Sequence, residues 1–404
     1  MKLNDLSCFE KARENLKEVV RDTPLLYSST FSKLTGNNIY FKCENKQKTG
    51  SFKLRGAYNK IAELNCDERR KGVIASSAGN HAQGVAYAAT SFGVEATVVM
   101  PLTAPLAKIQ ATLGYGANVI KYGEVYDECF NKAMEIREKE GVTFVHPFND
   151  EDVIAGQGTI AFEILDKLPE VDVILVPIGG GGLISGIATA AKMLKPEIII
   201  IGVEAEIIPS TKVSLANKKI TTLPGVKSLA DGISVKTPGD ITFEYIKKYV
   251  DRVVTVSEDE IAYAIFILME RMKLVSEGAG AVTLAALLAN KIPMSNKNIV
   301  SLISGGNIDI AMVSKIIERQ LVLLKRRISF TVEIKDKVGQ LGCFITKLGT
   351  LGANIIKVRQ EKTWEEKGLE YADVIFEIET ESKEHSIYIL EALKKEEYKL
   401  EIIS

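Results

Sequence analysis

Residues 173–183 read VILVPIGGGGL, an apolar run that passes directly into four glycines. Apolar residues in succession, without alternation, are typical of a parallel strand buried on both faces. Glycine permits positive φ and close backbone approach, so four glycines at the start of a helix present bare N–H groups that suit a phosphate. The spacing is neither that of a Walker loop nor that of G-x-G-x-x-G. The stretch therefore predicts a buried strand followed by a phosphate site, with an ordinary tight turn as the alternative.

Short strands and helices alternate on both sides of this stretch, which predicts an open parallel α/β sheet. The predicted strands are 39–42, 73–75, 96–100, 119–121, 143–146, 173–176, 198–203 and 299–303. The predicted helices cover 1–22 and begin near Lys53, Asn80, Pro105, Val125, Val153, Leu183 and Ser257.

From Ile328 the pattern changes to strand, helix, strand, strand, helix, strand, which is the ferredoxin-like order. The basic triplet Lys325–Arg327 marks the boundary. We therefore expect a large α/β domain at 1–325 and a small, separate domain at 326–404.

The composition restricts the class of partner. Of 404 residues, 46% are hydrophobic and 25% are charged, and the formal net charge is -1. No basic field is available for nucleic acid or an anionic membrane, and no apolar run has membrane length. The five cysteines include no C-x-x-C pair, which argues against a disulfide framework or a zinc site. We expect a cytoplasmic protein without a bound metal.

Three more segments carry chemistry. Lys53, in TGSFKLRGA at 49–57, has an amine that can form a Schiff base, and its pKa falls with burial or beside a cation such as Arg55; a solvated surface lysine is the alternative. The turn SSAGNHAQG at 76–84 offers Ser77 and backbone N–H groups to a carboxylate, or only caps a helix through Ser77 or Asn80. Ser304 ends a further strand and can donate to a ring nitrogen without protonating it.

In this order, SFKLRGA at 51–57, SAGNHAQ at 77–83, the glycine turn and SGGN at 304–307 resemble the threonine dehydratase (threonine ammonia-lyase) family over residues 5–322. The resemblance implies a tryptophan-synthase-β-like fold of two subdomains and pyridoxal 5'-phosphate as cofactor. It also implies β-elimination of L-threonine to 2-oxobutanoate and ammonia, with L-serine as a second substrate.

The resemblance assigns roles by position. It implies that Lys53 binds the cofactor aldehyde and acts as the catalytic base, that Phe52 packs on the ring, and that Asn80 bonds the 3'-oxygen. Ser304 would meet the ring nitrogen. The phosphate would be bound by Gly179, Gly180, Gly181, Gly182 and Leu183, and the substrate carboxylate by Ser77, Ala78, Gly79, Asn80 and His81.

Two positions narrow the activity within the family. Racemising relatives carry a second serine where this chain has Ala78, so we expect elimination and not racemisation. Some relatives bind a divalent cation through a glutamate near the position of Glu204 and a second carboxylate, and this chain has Ser210 at the position of that second carboxylate. We therefore interpret Glu204 as a strand-end carboxylate. His146 and His385 lie outside the motifs and are interpreted as packed or solvated side chains.

Residues 328–404 resemble the ACT domain, an amino-acid-sensing module. DKVGQL at 336–341 stands where that family has D-x-P-G-x-L, and LGANI follows at 351–355. The resemblance implies an amino-acid effector, isoleucine or valine, near Gly339, Leu341, Asn354 and Ile355, and subunit pairing into a homodimer or homotetramer. A domain that only joins subunits is the alternative.

Other functions stay open at this stage. A serine dehydratase or a β-replacement synthase would use the same scaffold. A catalytically silent amino-acid sensor would use only the last domain. The choice between isoleucine biosynthesis and threonine catabolism also stays open.

Overall fold

The computed structural model describes residues 3–361 and 370–403. The chain forms two compact units, Met1–Ile308 and Asp309–Ser404. The second unit therefore includes the helix that precedes the predicted boundary at 325.

The elements of the described residues are numbered in chain order. The helices are α1 Ser7–Leu16, α2 Ser29–Thr35, α3 Lys53–Ala62, α4 Cys66–Lys71, α5 Asn80–Ser91, α6 Leu106–Gly114, α7 Tyr126–Glu140, α8 Glu151–Lys167, α9 Gly182–Leu194, α10 Ser210–Ala216, α11 Asp240–Tyr249, α12 Glu258–Ile267, α13 Gly278–Leu288, α14 Ile310–Leu323, α15 Gln340–Thr350 and α16 Lys383–Lys395. The strands are β1 Leu25–Tyr27, β2 Asn38–Cys43, β3 Val73–Ser76, β4 Ala96–Met100, β5 Asn118–Lys121, β6 Thr143–Phe144, β7 Val173–Pro177, β8 Ile199–Ala205, β9 Arg252–Val256, β10 Asn298–Ile303, β11 Arg327–Lys335, β12 Asn354–Glu361, β13 Tyr371–Glu379 and β14 Leu400–Ile402.

The first unit contains two sheets. The larger has the order β1-β2-β10-β7-β8-β9 and is parallel except for β1. The smaller, β5-β4-β3-β6, is parallel throughout. Every residue of β7 is buried, because this central strand contacts both α9 and α13. The prediction of a buried parallel strand is confirmed. The alternating strands and helices are divided between two sheets, each with its own core.

Several predicted boundaries change in the structure. The predicted helix over 1–22 covers only Ser7–Leu16, which is the part whose apolar stripe is buried. The predicted strand over 143–146 ends at Phe144, because the chain turns at His146. The helix predicted near Ser257 has the expected capping box with Glu260, but it ends at Ile267 in a π-helical turn. Among the elements that the pattern did not predict are α2, α4, α10, α11 and β9.

The second unit consists of α14 followed by the predicted order of strands and helices. Its antiparallel sheet has the order β12-β13-β11-β14. Phe330, Phe344 and Phe376 form the centre of its core. Nowhere in the described parts of the chain is a helix both long and apolar enough to span a membrane.

Candidate active site

Lys53 is placed at the end of a central strand of the larger sheet. Strands β10 and β7 are parallel neighbours, so Ser304 and the glycine turn follow adjacent strand ends. The backbone N–H of Phe52 donates to the Ser304 carbonyl at 3.1 Å, and Ser51 forms an isolated bridge with Gly305. These contacts bring the first residue of α3 to the edge where parallel α/β sheets bind ligands.

The Lys53 amine is half-buried and held by backbone. Its Nζ donates to the Pro147 carbonyl at 2.8 Å and lies 5.2 Å from the centroid of the Phe52 ring. Burial lowers the pKa of Lys53 to about 8, although Glu277 acts in the opposite direction. Such an amine is available near neutral pH as a nucleophile or base.

Arg55 does not have the predicted role of neighbouring cation. Its side chain is fully buried and forms ion pairs with Glu44 at 2.8 Å and with Glu163 at 2.6 Å. The pKa of Lys53 is lowered by burial and not by Arg55. Lys53 and Arg55 are two positions apart on α3, so they point to different sides of the helix and meet different surroundings.

The glycine turn offers buried donors without acceptors. Gly181 has φ of +94° and caps α9, a helix of 13 residues. A Cβ at Gly180 would lie 2.3 Å from the Phe148 ring, so only glycine fits there. Within the described chain, the backbone N–H groups of Gly179 to Leu183 donate to no protein acceptor. Buried N–H groups are rarely left unpaired, and five of them at a helix start fit a phosphate.

A second group of polar side chains connects three motifs. Asn80 Nδ2 donates to Glu277 Oε1 at 2.7 Å, and Asn80 Oδ1 accepts from Asn307 Nδ2 at 2.7 Å. Burial raises the pKa of Glu277 to about 7, with Asp231 acting in the same direction and the bond from Asn80 against it. Glu277 had no assigned role from the sequence; its place in the apolar stretch SEGAGA was the available signal.

The loop that is predicted to bind the substrate carboxylate lies directly before α5. Ser77 Oγ accepts the Gly79 N–H at 3.1 Å, which is a contact within the turn. The alternative of a helix cap by Ser77 or Asn80 is wrong, because Gly79 is the N-cap of α5 and no side chain bonds there. Apart from its chain neighbours, no atom lies within 4 Å of where a Gly79 Cβ would be. His81 Nε2 bonds the Val145 carbonyl at 2.8 Å. Burial, together with the charge of Lys53, lowers the pKa of His81 to about 3. His81 is therefore neutral, and the space beside Gly79 is open.

Comparisons with known proteins agree with this geometry. A family model described as "Pyridoxal-phosphate dependent enzyme" matches residues 16–305. The chain belongs to the pyridoxal-phosphate-dependent enzymes. It is 49% identical to the L-threonine ammonia-lyase of Thermotoga maritima, over 98% of this chain and 99% of that protein.

Two solved structures share the fold. The processed form of threonine deaminase isoform 2 from Solanum lycopersicum has a TM-score of 0.74 and 39% identity, and covers 78% of this chain and 94% of its own. The serine racemase of Dictyostelium discoideum has a TM-score of 0.72 and 39% identity, over 76% of this chain and 100% of its own. The cofactor is therefore pyridoxal phosphate, and the lysine, the unpaired N–H groups and the Asn80 cluster fit that group.

His146 is a packed side chain, in agreement with its interpretation from the sequence. Its Nδ1 accepts the backbone N–H of Phe148 at 3.2 Å and of Asn149 at 2.8 Å. This turn orients the Pro147 carbonyl toward Lys53. Burial and the charge of Lys53 lower the pKa of His146 to about 4, so the imidazole is a neutral acceptor. The imidazole thus holds the turn whose Pro147 carbonyl contacts the Lys53 amine.

Ser304 and Glu204 occupy different kinds of position. Ser304 is buried, and its Oγ has only a long contact, 3.4 Å, with the Ala279 carbonyl. Its hydroxyl is thereby able to bond a ligand. Glu204 accepts the backbone N–H groups of Thr211 and Lys212, both at 2.8 Å, and burial raises its pKa to about 7. Glu204 is a strand-end carboxylate that holds the start of α10.

The residues predicted to be regulatory lie in the second unit. Gly339 and Leu341 stand at the start of α15, whereas Asn354 and Ile355 follow its end and begin β12. A helix of this length spans about 16 Å. Within one chain, the two pairs are therefore separated by the length of α15. His385 Nε2 bonds the Leu351 carbonyl at 2.8 Å, in agreement with its interpretation as a packed side chain.

Proposed function

We propose that this chain is an L-threonine ammonia-lyase that converts L-threonine to 2-oxobutanoate and ammonia, and L-serine to pyruvate. The observation that carries the proposal is a low-pKa Lys53 beside a turn of unpaired N–H groups. The 49% identity to the Thermotoga maritima enzyme, over nearly the whole of both chains, supports the choice of substrate.

Lys53 supplies the base. Its amine would hold the cofactor aldehyde and would act as the base toward the proton on the substrate Cα. The Pro147 carbonyl holds the amine, and burial keeps a useful fraction unprotonated. Pyridoxal phosphate supplies the electron sink for this step.

Other residues bind and orient. The N–H groups of Gly179 to Leu183 would hold the phosphate, Phe52 would pack on the ring, and Asn80 would bond the 3'-oxygen. Ser304 would hold the ring nitrogen as a neutral donor, and an unprotonated ring would supply a weaker electron sink. This would favour loss of the β-hydroxyl over racemisation or transamination.

The loop before α5 binds the substrate. Ser77, Gly79 and the N-terminal N–H groups of α5, with Asn80 and His81, bind the substrate carboxylate. Ala78 lacks a hydroxyl that could serve the opposite face of Cα, so we propose elimination and not racemisation.

Product identification tests this function. The holoenzyme is incubated with L-threonine, L-serine, and L-serine plus a thiol, while the cofactor spectrum is followed. We expect 2-oxobutanoate from threonine at a higher kcat/KM than pyruvate from serine, and no thioether. Preference for serine would indicate a serine dehydratase, a thioether a β-replacement synthase, and absence of a lysine-bound cofactor band a silent amino-acid sensor.

We further propose that the residues after 325 form a ferredoxin-like, ACT-like regulatory domain. Its sheet order and its two helices on one face support this proposal. Since the two pairs of predicted effector residues lie at opposite ends of α15, one effector site takes one pair from each of two copies, and the enzyme is a homodimer or homotetramer. Activity and oligomeric state measured against isoleucine and valine, with chains of 1–404 and 1–325, test both proposals. Identical activity curves would refute regulation.

A further inference from the structure

The Asn80 amide is bonded on both sides. Its Nδ2 donates to Glu277 Oε1 at 2.7 Å and its Oδ1 accepts from Asn307 Nδ2 at 2.7 Å. Asn307 Nδ2 also donates to the Thr49 carbonyl at 2.9 Å, so both of its hydrogens are engaged. The four residues come from separate segments of the first unit: Glu277 and Asn307 contact Asn80, and Thr49 contacts Asn307.

This arrangement permits one orientation of the amide. Reversal of Asn80 would place its NH₂ against the Asn307 NH₂ and its oxygen against the Glu277 carboxyl oxygen. An amide nitrogen carries two hydrogens, and Glu277 engages one of them. The second N–H of Asn80 is therefore left in a defined place for a ligand.

Glu277 is itself held close to the site. Its backbone N–H donates to the Gly305 carbonyl at 3.1 Å, and a Cβ on Gly305 would lie only 2.2 Å from Oε1. The side chain is 6% exposed and, within the described residues, forms no salt bridge. A buried carboxyl outside an ion pair lowers stability, which favours a role for Glu277 other than packing.

We propose that Glu277 is a positioning residue that, together with Asn307, presents the second N–H of Asn80 to the 3'-oxygen of pyridoxal phosphate. Glu277 acts through Asn80, since its carboxyl contacts that amide. This inference rests on the proposed function. It gives a role to Glu277, a buried acid that takes no part in the elimination itself.

The test uses the full chain reconstituted with pyridoxal phosphate at one pH. Two quantities are measured: the Kd for the cofactor, and the ratio of visible to near-ultraviolet absorption, which reports how the 3'-oxygen shares its proton with the lysine nitrogen. We expect Glu277→Ala to change this ratio and to weaken cofactor binding roughly tenfold, as loss of one hydrogen bond to a charged group does. Asn80→Ala should act in the same way.

Two variants separate positioning from general damage. Glu204→Gln is the matched control, because Glu204 is equally buried and its pKa is also raised to about 7, but its partners are backbone N–H groups of α10. It should leave the absorption ratio unchanged. The double variant Glu277→Ala/Asn80→Ala should be no worse than Asn80→Ala, since Glu277 acts through that residue.

Four results are decisive. A Glu277→Ala protein with the wild-type ratio and Kd, alongside an altered Asn80→Ala, overturns the inference, as does an additive double variant. If Glu277→Ala does not fold, Asn307→Asp tests the same amide from its other side, and an unchanged ratio there also overturns it. A wild-type chain that takes up no pyridoxal phosphate refutes the proposed function itself, which is a different failure.

Discussion

Two buried polar clusters meet at α3, and they differ in how completely their groups are paired. Around Arg55, two cations and two carboxylates form a neutral cluster: Arg55 bonds Glu44 and Glu163, and Lys42 bonds Glu163 and the Thr23 carbonyl. Around Lys53 the amine has a single carbonyl partner, and neighbouring N–H groups have none within the described residues. The paired cluster is structural, whereas the under-paired one is available for a ligand.

The largest expected effect follows from removing the under-paired amine. Lys53→Ala should lower kcat/KM for L-threonine by roughly 10²–10⁴-fold or more, because the base is lost. The melting temperature of the apoprotein should not fall, since a partly desolvated amine contributes little to folding. Exposed Lys17 provides the control, and Lys17→Ala should leave both quantities unchanged. A stable but active Lys53→Ala enzyme would contradict the assignment.

A substitution in the Arg55 cluster should instead lower the free energy of unfolding. Arg55→Met leaves Glu44 and Glu163 buried beside an apolar side chain and should destabilise the protein by about 3–5 kcal/mol in urea unfolding. Arg70 forms an exposed pair with Asp67, and Arg70→Met should cost less than about 1 kcal/mol. Equal effects of the two substitutions would remove the distinction between the clusters.

The glycine turn provides a further test, which depends on the space around each glycine. In Gly180→Ala the new methyl would meet the Phe148 ring at 2.3 Å, so we expect about 1–3 kcal/mol of destabilisation and weaker binding of the cofactor. Gly342 in α15 has open space around its Cβ position, and Gly342→Ala should stabilise slightly, by about 0.5–1 kcal/mol. Calorimetry and cofactor titration measure both effects, and a neutral Gly180→Ala would show that the turn can yield.

The pH dependence of stability gives a further test of the surroundings of Lys53. Burial lowers the pKa of Lys53 from 10.5 to about 8, so between these values the unfolded chain binds more protons than the folded apoprotein. The stability of the wild-type apoprotein relative to Lys53→Met should therefore rise as the pH increases through this window. Urea unfolding at several pH values measures the difference. A constant difference would place the Lys53 pKa at its ordinary value.

Much of the site follows from residue type and spacing. The start of α5 at Asn80, the buried strand β7 and the turn at Gly179–Gly182 are confirmed where the sequence analysis placed them. Each depends on local preferences, namely apolar succession for a buried strand and consecutive glycines for a turn with positive φ. The same local information predicted the order of elements after Ile328.

The remaining features depend on contacts between distant segments. Glu277 bonds Asn80 across 197 positions, and the Pro147 carbonyl meets Lys53 across 94. His146 showed no motif, because its task is to accept backbone N–H groups in its own turn. Lys53 and Arg55 look alike in the sequence, both being cations at the start of α3.

Local chemistry thus established the strand–turn–helix units and the candidate lysine of this chain. Only the tertiary structure decided which polar groups are paired. It pairs Arg55 with carboxylates, whereas Lys53, Asn80 and the glycine N–H groups keep hydrogen-bonding capacity for a ligand. The physical reason is that pKa and hydrogen-bond satisfaction depend on burial and on partners brought from other strands, and short-range spacing does not encode either.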